Sequence, residues 1–309
     1  MTGRVLVIGS VNADLLLHVQ RHPRPGETLL ASSSTVAPGG KGANQAVAAA
    51  RLGAPTGFVG AVGDDAYAEV AVSGMTSAGV DLDRLVRVPG PTGVAVVIVA
   101  ADGENSIVVA SGANAEMDPG RIRGISFDDV AVCVLQGELL ASVTIAAADA
   151  AAQAGARVLL NLAPVIDLPA ATVTLANPLV VNEHEAALLL GALGVVDPHI
   201  QQTSDQAQGI DVARRLRQAG VPAVVVTLGA SGAVMVDGDH VTGTHLPAPK
   251  VAARDTTGAG DAFVGALAAR LAAGDDLAAA ASIAVRVGAY AVQGDGAQPS
   301  YPWASDGLP

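Results

Sequence analysis

Short apolar runs rich in β-branched residues alternate with alanine-rich stretches of helical length along most of the 309 residues. The runs lie at 5–8, 131–135, 157–162, 179–181, 223–228 and 233–236, and the helical stretches at 43–52, 142–154, 183–190, 205–219, 261–273 and 277–292. Runs that are apolar throughout are buried on both faces. Alternating with helices, they predict a doubly wound α/β fold, a mostly parallel sheet flanked by helices. Gly53, Gly155, Gly220 and Gly274 each follow a helical stretch, where glycine ends helices well.

Two stretches break this rhythm. Residues 14–37 and 92–111 read as β-structure without helices, and in the second the runs 94–99 and 106–110 flank Asp102-Gly103, a hairpin turn signal. They form either one small β-sheet lid over the open end of the main domain or two separate surface hairpins. The chain is expected to be one domain, 1–309, with the lid inserted in it.

Charge and composition narrow the function classes. A net charge of −12, with Lys41 and Lys250 the only lysines, opposes a nucleic-acid or anionic-membrane partner. The single cysteine, Cys133, lies inside an apolar run and fits core packing in a reducing cytoplasm. The alanine-rich stretches are broken by Asp149, Gln153, Arg157 and Arg286, too often for a membrane span, and 5–8 is too short for an export signal. A cytoplasmic chain is expected. A dinucleotide oxidoreductase would need Gly-x-Gly-x-x-Gly after the first strand, and only Gly9 is there.

The strongest local signal is Asp255-Thr-Thr-Gly-Ala-Gly-Asp261, which opens an apolar helix. Small residues there let backbone N–H groups approach a phosphate, and the helix start adds positive potential. Asp261 beside a phosphate would repel it unless it takes the proton from an attacking hydroxyl; alternatively it is an N-cap. A second glycine-rich segment, Pro38-Gly-Gly-Lys-Gly-Ala-Asn-Gln45, lacks the spacing of a P-loop. Lys41 and Asn44 suit a neutral polyhydroxy ligand, or the segment is a helix start with a solvated lysine. Polar groups also fall just beyond strand ends: Asn12, Asp14, Glu138, Asn182, Glu185 and 227–232. In an open parallel sheet such groups converge on one cleft.

These segments, with Gly9-Ser-Val-Asn-Ala-Asp14, Asn182-Glu-His-Glu185, Thr227-Leu-Gly-Ala-Ser-Gly232 and Gly296-Ala-Gln-Pro-Ser300, resemble the ribokinase-like carbohydrate kinases, collinearly from residue 5 to 303. The resemblance implies transfer of the terminal phosphate of ATP to the 5-hydroxyl of D-ribose, or to fructose, 2-keto-3-deoxygluconate or a nucleoside. A non-catalytic sugar sensor on the same fold is the rival from another class. It further implies that Asn12, Ala13, Asp14, Gly40, Lys41, Gly42, Ala43, Asn44 and Glu138 hold the sugar. Asp261 is then the base, with the backbone of Gly258, Ala259 and Gly260 as anion hole. Asn182, Glu185, Thr227, Leu228, Gly229, Ala230, Ser231, Gly232, Gly260, Asp261 and Val285 would bind ATP, with Asn182 and Glu185 ordering Mg²⁺ through water. Asp255, Thr257, Ala291, Gly294, Gly296 and Ser300 would hold K⁺, and the lid would join a homodimer. Two positions depart from the family pattern: Val285 stands where a polar adenine contact is common, and Gln293-Gly-Asp295 replaces a more basic segment.

Overall fold

Residues 3–102, 104–194, 205–238 and 240–309 are described by a computed structural model. In chain order the elements are β1 (Arg4–Ile8), β2 (Asn12–Val19), β3 (Ser33–Gly39), α1 (Lys41–Arg51), β4 (Thr56–Val62), α2 (Tyr67–Ser77), β5 (Asp81–Arg87), β6 (Gly93–Ala100) and β7 (Asn105–Ala110). There follow α3 (Pro119–Arg123), β8 (Val130–Gln136), α4 (Ala141–Gln153), β9 (Arg157–Asn161), α5 (Ala170–Val173), β10 (Ala176–Asn182), α6 (Glu183–Ala192) and α7 (Gln206–Gln218). The chain ends with β11 (Val224–Thr227), β12 (Ala233–Val236), β13 (Thr244–Leu246), α8 (Ala259–Ala272) and α9 (Leu277–Ala291).

The main sheet runs β13-β12-β11-β10-β9-β8-β1-β4-β5, parallel except for the β11–β12 and β12–β13 pairs. Its two faces follow from the period of a strand. On β1, Val5 and Val7 pack with α1, α8 and α9, while Leu6 and Ile8 pack with α4, α6 and α7. Cys133 is a buried free thiol on the second face. The strand order reverses at β1, so the segments leaving β1 and β8 open a crevice at the carboxyl edge. Among the described residues no helix is long and apolar enough to cross a membrane.

The segments that break the α/β rhythm pair in a second sheet, β3-β2-β6-β7, with β2 and β6 parallel and the outer pairs antiparallel. Asp102 lies in the β6–β7 turn, as expected, while Gly103 lies outside the described residues. Six elements were not read from the sequence: β4, whose Gly57 and Gly60 dilute its β-propensity, the charged edge strand β5, the three-residue β13, and the helices α2, α3 and α5. Helix α1 starts at Lys41, ahead of the expected 43, and α8 starts at Ala259, ahead of 261.

One packing contact positions the site. A Cβ on Gly265 would lie 2.5 Å from Ala48 Cβ and from the Gln45 carbonyl oxygen, so only glycine lets α8 approach α1 this closely. Asp261 lies one helical turn earlier on the same face of α8, which brings it against Asn44 and Gln45 of α1.

Candidate active site

Beyond β1 the chain turns tightly against the start of α1. Gly40 has φ 88°, and a Cβ there would meet Asn12 N at 2.8 Å and Val11 Cα at 2.9 Å, so glycine is required twice over. Gly42 packs on the Gly9 and Ser10 backbone, where a Cβ would sit 2.8 Å away, and Ala43 N donates to the Ser10 carbonyl at 2.9 Å. The Glu138 carboxylate, just past β8, accepts from Lys41 N at 3.1 Å and from the Ser10 hydroxyl. Asn12 is buried; its Oδ1 accepts from Asn114 Nδ2 at 2.8 Å, and Asn114 Oδ1 accepts from Val11 N at 3.0 Å. Ala13, its neighbour, is a core residue.

Charge is concentrated here. Asp14 lies over Gly39, where any Cβ would strike its carboxylate, and its Oδ1 is buried with no hydrogen-bond partner. Burial first, then the neighbouring Glu138 and Asp261, push the Asp14 carboxyl from its ordinary 3.8 up to about 7. Lys41 is not the solvated lysine of a plain helix start. It is held above its usual range by Asp261 foremost, then Glu138 and Glu185, against the opposing effect of burial.

Asp261 is not an N-cap. The cap of α8 is Gly258, at φ 72°, with no side-chain capping bond, and Asp261 is the third helical residue, 6% exposed. Its carboxylate accepts from Asn44 Nδ2 at 3.0 Å and from Gln45 Nε2 at 2.9 Å. The Gly258 carbonyl accepts from the Tyr301 hydroxyl at 3.0 Å, and a Cβ on Gly258 would sit 2.5 Å from that oxygen and from Ala297 Cβ. Burial raises the Tyr301 phenol well above its usual range, with Asp261 adding to the shift, which keeps it a neutral donor. A Cβ on Gly260 meets nothing within 4 Å, so the space above the helix start is open.

That space belongs to a cavity of about 710 Å³, within the usual range of small-molecule sites. Thr227, Gly229, Ala230, Gly232, Gly260 and Val285 line it, as do Ala259, Phe263, Gly288, Ala289, Val292 and much of 248–256. Gly229 (φ 54°) and Gly232 (φ 93°) shape the turn after β11. Three residues expected here do not line it: Leu228 is 1% exposed in the core, Ser231 turns its carbonyl to His245, and the Asp261 carboxylate is turned to Asn44 and Gln45 of α1. Asn182 and Glu185 also stand off the cavity, joined in a capping box at the start of α6 with both bonds at 2.8 Å. Burial pushes the Glu185 carboxyl up, opposed by the Asn182 N–H and by Lys41. A second cavity, about 270 Å³, lies beside Glu138 and is also lined by Val109, Ser111, Asn114, Gly137 and Pro164; of the residues expected to hold the sugar, Glu138 alone lines it.

The loops around Asp255 also meet. Asp255 Oδ1 accepts from Thr257 N and Oδ2 from Gly296 N, both at 2.8 Å. Burial pushes this carboxyl up, but those bonds outweigh it and leave it below its ordinary value. Arg254, the adjacent cation, is bonded to Asp295 at 2.5 Å instead. Gly294 lies against Ser300, and the Ala291 carbonyl accepts from Gly294 N.

Sequence reasoning missed Ser10, Asn114, Gln136, Asn161 and Gln298, and it gave Gln45 no role. Gln45 had a readable signal, a polar side chain directly after Asn44 on a helix start that must be buried against the sheet.

The model of the pfkB family carbohydrate kinases matches residues 2–304. Ribokinase of Staphylococcus aureus (strain COL) is 36% identical over 309 residues, 98% of this chain and 97% of its own. Deoxyribokinase of Salmonella typhimurium is likewise 36% identical, over 96% of this chain and 95% of its own. Among solved structures, Arabidopsis thaliana ribokinase complexed with ribose and ATP superposes with a TM-score of 0.86 at 31% identity, covering 98% and 97% of the two chains. Ribokinase from Cryptococcus neoformans in complex with ADP gives 0.84 at 34% identity, covering 98% of each. A doubly wound sheet with a second small sheet, matched end to end by these relatives, makes this chain a member of the pfkB family of carbohydrate kinases.

Proposed function

We propose that the chain transfers the γ-phosphoryl group of ATP to the 5-hydroxyl of D-ribose, giving ribose 5-phosphate and ADP. One observation carries this reading: Gly260 and Asp261 are consecutive on α8 but serve different sides of the cleft. Gly260 lines the large cavity, which takes the nucleotide, while Asp261 bonds to α1 beside the polar set that takes the sugar. A hydroxyl seated between them has a carboxylate to accept its proton and a helix N-terminus to stabilise the phosphoryl charge. Asn12, Asp14, Lys41, Asn44 and Glu138, with backbone from Gly40 to Ala43, hold the sugar hydroxyls in this reading. Ribose-dependent ADP release by the purified chain is its first requirement, and a sugar-binding sensor would fail it. The equal identity of a deoxyribokinase makes 2-deoxyribose the second reading of the acceptor.

In the same reading Glu185, which lies within the electrostatic reach of Lys41 and Asp261, and its capping partner Asn182 would hold the water shell of a Mg²⁺ ion. The oxygen-rich set of Asp255, the Thr257, Ala291, Gly294 and Gly296 carbonyls and Ser300 fits a hard monovalent cation such as K⁺. The Asp255 carboxylate supports this, because among the described residues no basic side chain pairs with it. A cation there supplies the missing positive charge, and Asp255 then braces the turn that aims the Gly258–Gly260 N–H groups. Ribose phosphorylation at fixed Mg²⁺ is therefore expected to rise when KCl is added to a K⁺-free Tris buffer, more than with NaCl at equal ionic strength. Asp255→Ala should abolish the rise; equal rates in all three buffers would contradict the site.

The small sheet serves as a lid over the sugar and as a homodimer interface. Its edge strand β7 leaves Ile107, Val108 and Val109 exposed, an unpaired apolar edge of the kind proteins normally cover. Sedimentation should give twice the 30.4 kDa chain mass, and a monomer at micromolar concentration would contradict the interface.

A further inference from the structure

Two lines of buried amides converge on Asp261, and each is polarised toward it. A carboxylate only accepts, so Asn44 Nδ2, 3.0 Å from Oδ2, and Gln45 Nε2, 2.9 Å from Oδ1, are the donors. The Asn44 oxygen in turn receives Gln298 Nε2 at 2.9 Å, from a residue 254 positions away. The Gln45 oxygen receives Gln136 Nε2 at 2.8 Å, and Gln45 Nε2 also donates to Asn161 Oδ1 at 2.9 Å. Asn161 Nδ2 ends its branch on the Val180 carbonyl at 3.1 Å. Amide orientations that are ambiguous singly are fixed jointly by the carboxylate at the centre.

Both outer ends are built at a cost. Gln298 Oε1 and Gln136 Oε1 are buried with no hydrogen-bond partner. Turning either amide over would set oxygen against oxygen at Asn44 or Gln45, so the network keeps its donors aimed inward. A glycine houses each orphaned oxygen. A Cβ on Gly74 would lie 1.7 Å from Gln298 Oε1, and one on Gly9 2.0 Å from Gln136 Oε1. Gly74 sits inside α2 without a positive φ, where glycine only weakens a helix, so room for Gln298 is the reason the packing offers.

We propose that Gln45 and Gln298 are positioning residues of the phosphoryl transfer. They fix the orientation of the Asp261 carboxylate by delivering one amide N–H to each of its oxygens, Gln45 directly and Gln298 through Asn44. Neither lines the described cavities. The inference rests on Asp261 as the base. Other titratable groups lie within the electrostatic reach of the same carboxylate: Lys41 on α1, Asp14 on β2, Glu185 on α6 and the Tyr301 phenol. Glu138, after β8, acts on Asp14 and Lys41.

The test measures kcat and both KM values from pH 5 to 9, with ribose or whichever sugar turns over fastest, for Gln45→Glu, Gln298→Glu, Gly74→Ala and Asp261→Asn. Gln45→Glu removes a donor and adds a like charge, so kcat should fall roughly 10–100-fold and the acid limb of the kcat profile should move up by about one unit. Gln298→Glu forces the Asn44 amide to turn and should lower kcat about 3–10-fold with the same shift of the limb. Gly74→Ala, which touches neither substrate, should lower kcat in the same direction. The ATP KM should stay within about twofold throughout, since the nucleotide cavity is untouched. Unchanged kcat and acid limb in the glutamine variants, with Asp261→Asn inactive, overturns the proposal and leaves the base assignment standing. An active Asp261→Asn overturns both. If Gln45→Glu fails to fold, Gln298→Glu and Gly74→Ala decide by the same outcomes.

Discussion

Asp261→Asn should lower kcat by roughly 10²–10⁴, the usual cost of removing a general base, while the fold and the ATP KM stay nearly unchanged. That loss corresponds to about 3–5 kcal/mol of transition-state stabilisation at 1.36 kcal/mol per decade. The substitution is nearly isosteric and lies at a site already lined by amides, so packing between α8 and α1 is preserved. What it removes is the acceptor. An asparagine there offers one oxygen instead of two to the Asn44 and Gln45 donors, and it cannot take a proton from the sugar hydroxyl. Stopped assays of ADP release with thermal melts of the same preparation check both halves. Near-normal turnover in a folded variant would contradict the assignment.

The second large effect is expected at Asp14, where function and stability should move in opposite directions. In the proposed complex its carboxylate accepts sugar hydroxyls, and charge-assisted bonds of this kind contribute about 1.5–3 kcal/mol. Asp14→Asn should therefore raise the ribose KM roughly 10–100-fold with little change in the ATP KM. In the free protein the same carboxyl is raised from 3.8 to about 7 by burial, Glu138 and Asp261. The native state thus holds this proton more tightly than the unfolded chain, and stability falls as pH rises between those two values. Asp14→Asn removes that cost, so its Tm should exceed the wild-type value by more at pH 8 than at pH 5, with the gain nearly gone below pH 4. Wild-type ribose KM should also fall as pH rises through 7, a trend absent from the variant. A variant with a lower Tm at pH 8 and an unchanged ribose KM would place Asp14 outside the sugar site.

Much of this was legible because close backbone approach leaves a trace in sequence. Gly40, Gly42 and Gly258 sit where a Cβ would collide with neighbouring backbone or side chains, so both glycine-rich segments pointed to real junctions. The alternation was equally readable where buried strands are rich in β-branched residues, but β4, buried throughout yet diluted by Gly57 and Gly60, escaped it. The elements that escaped were those whose residues answer to an edge or a neighbour. β5, Asp81–Arg87, carries Asp81, Asp83, Arg84 and Arg87, charges suited to a sheet edge. The wall of the large cavity at 248–253 has no helical or strand period, and its role appears only once α8 and α9 close against it. The amides were hardest. Nothing local in Gln298 announces Asn44, and Gln136 and Asn161 look like ordinary polar strand ends until Gln45 arrives between them. The N-cap reading of Asp261 failed for a related reason: its partners come from another helix, which local spacing cannot show.

The central claim is a kinase whose acceptor is ribose, and acceptor preference measured as kcat/KM tests it most directly. Purified protein with ATP, Mg²⁺ and K⁺ would be offered D-ribose, 2-deoxyribose, fructose, 2-keto-3-deoxygluconate and a nucleoside, with the phosphorylated position read by NMR. The structure-based account predicts ribose 5-phosphate as product and the highest kcat/KM for ribose. A higher value for any other acceptor, or no ribose-dependent ADP at all, would contradict it.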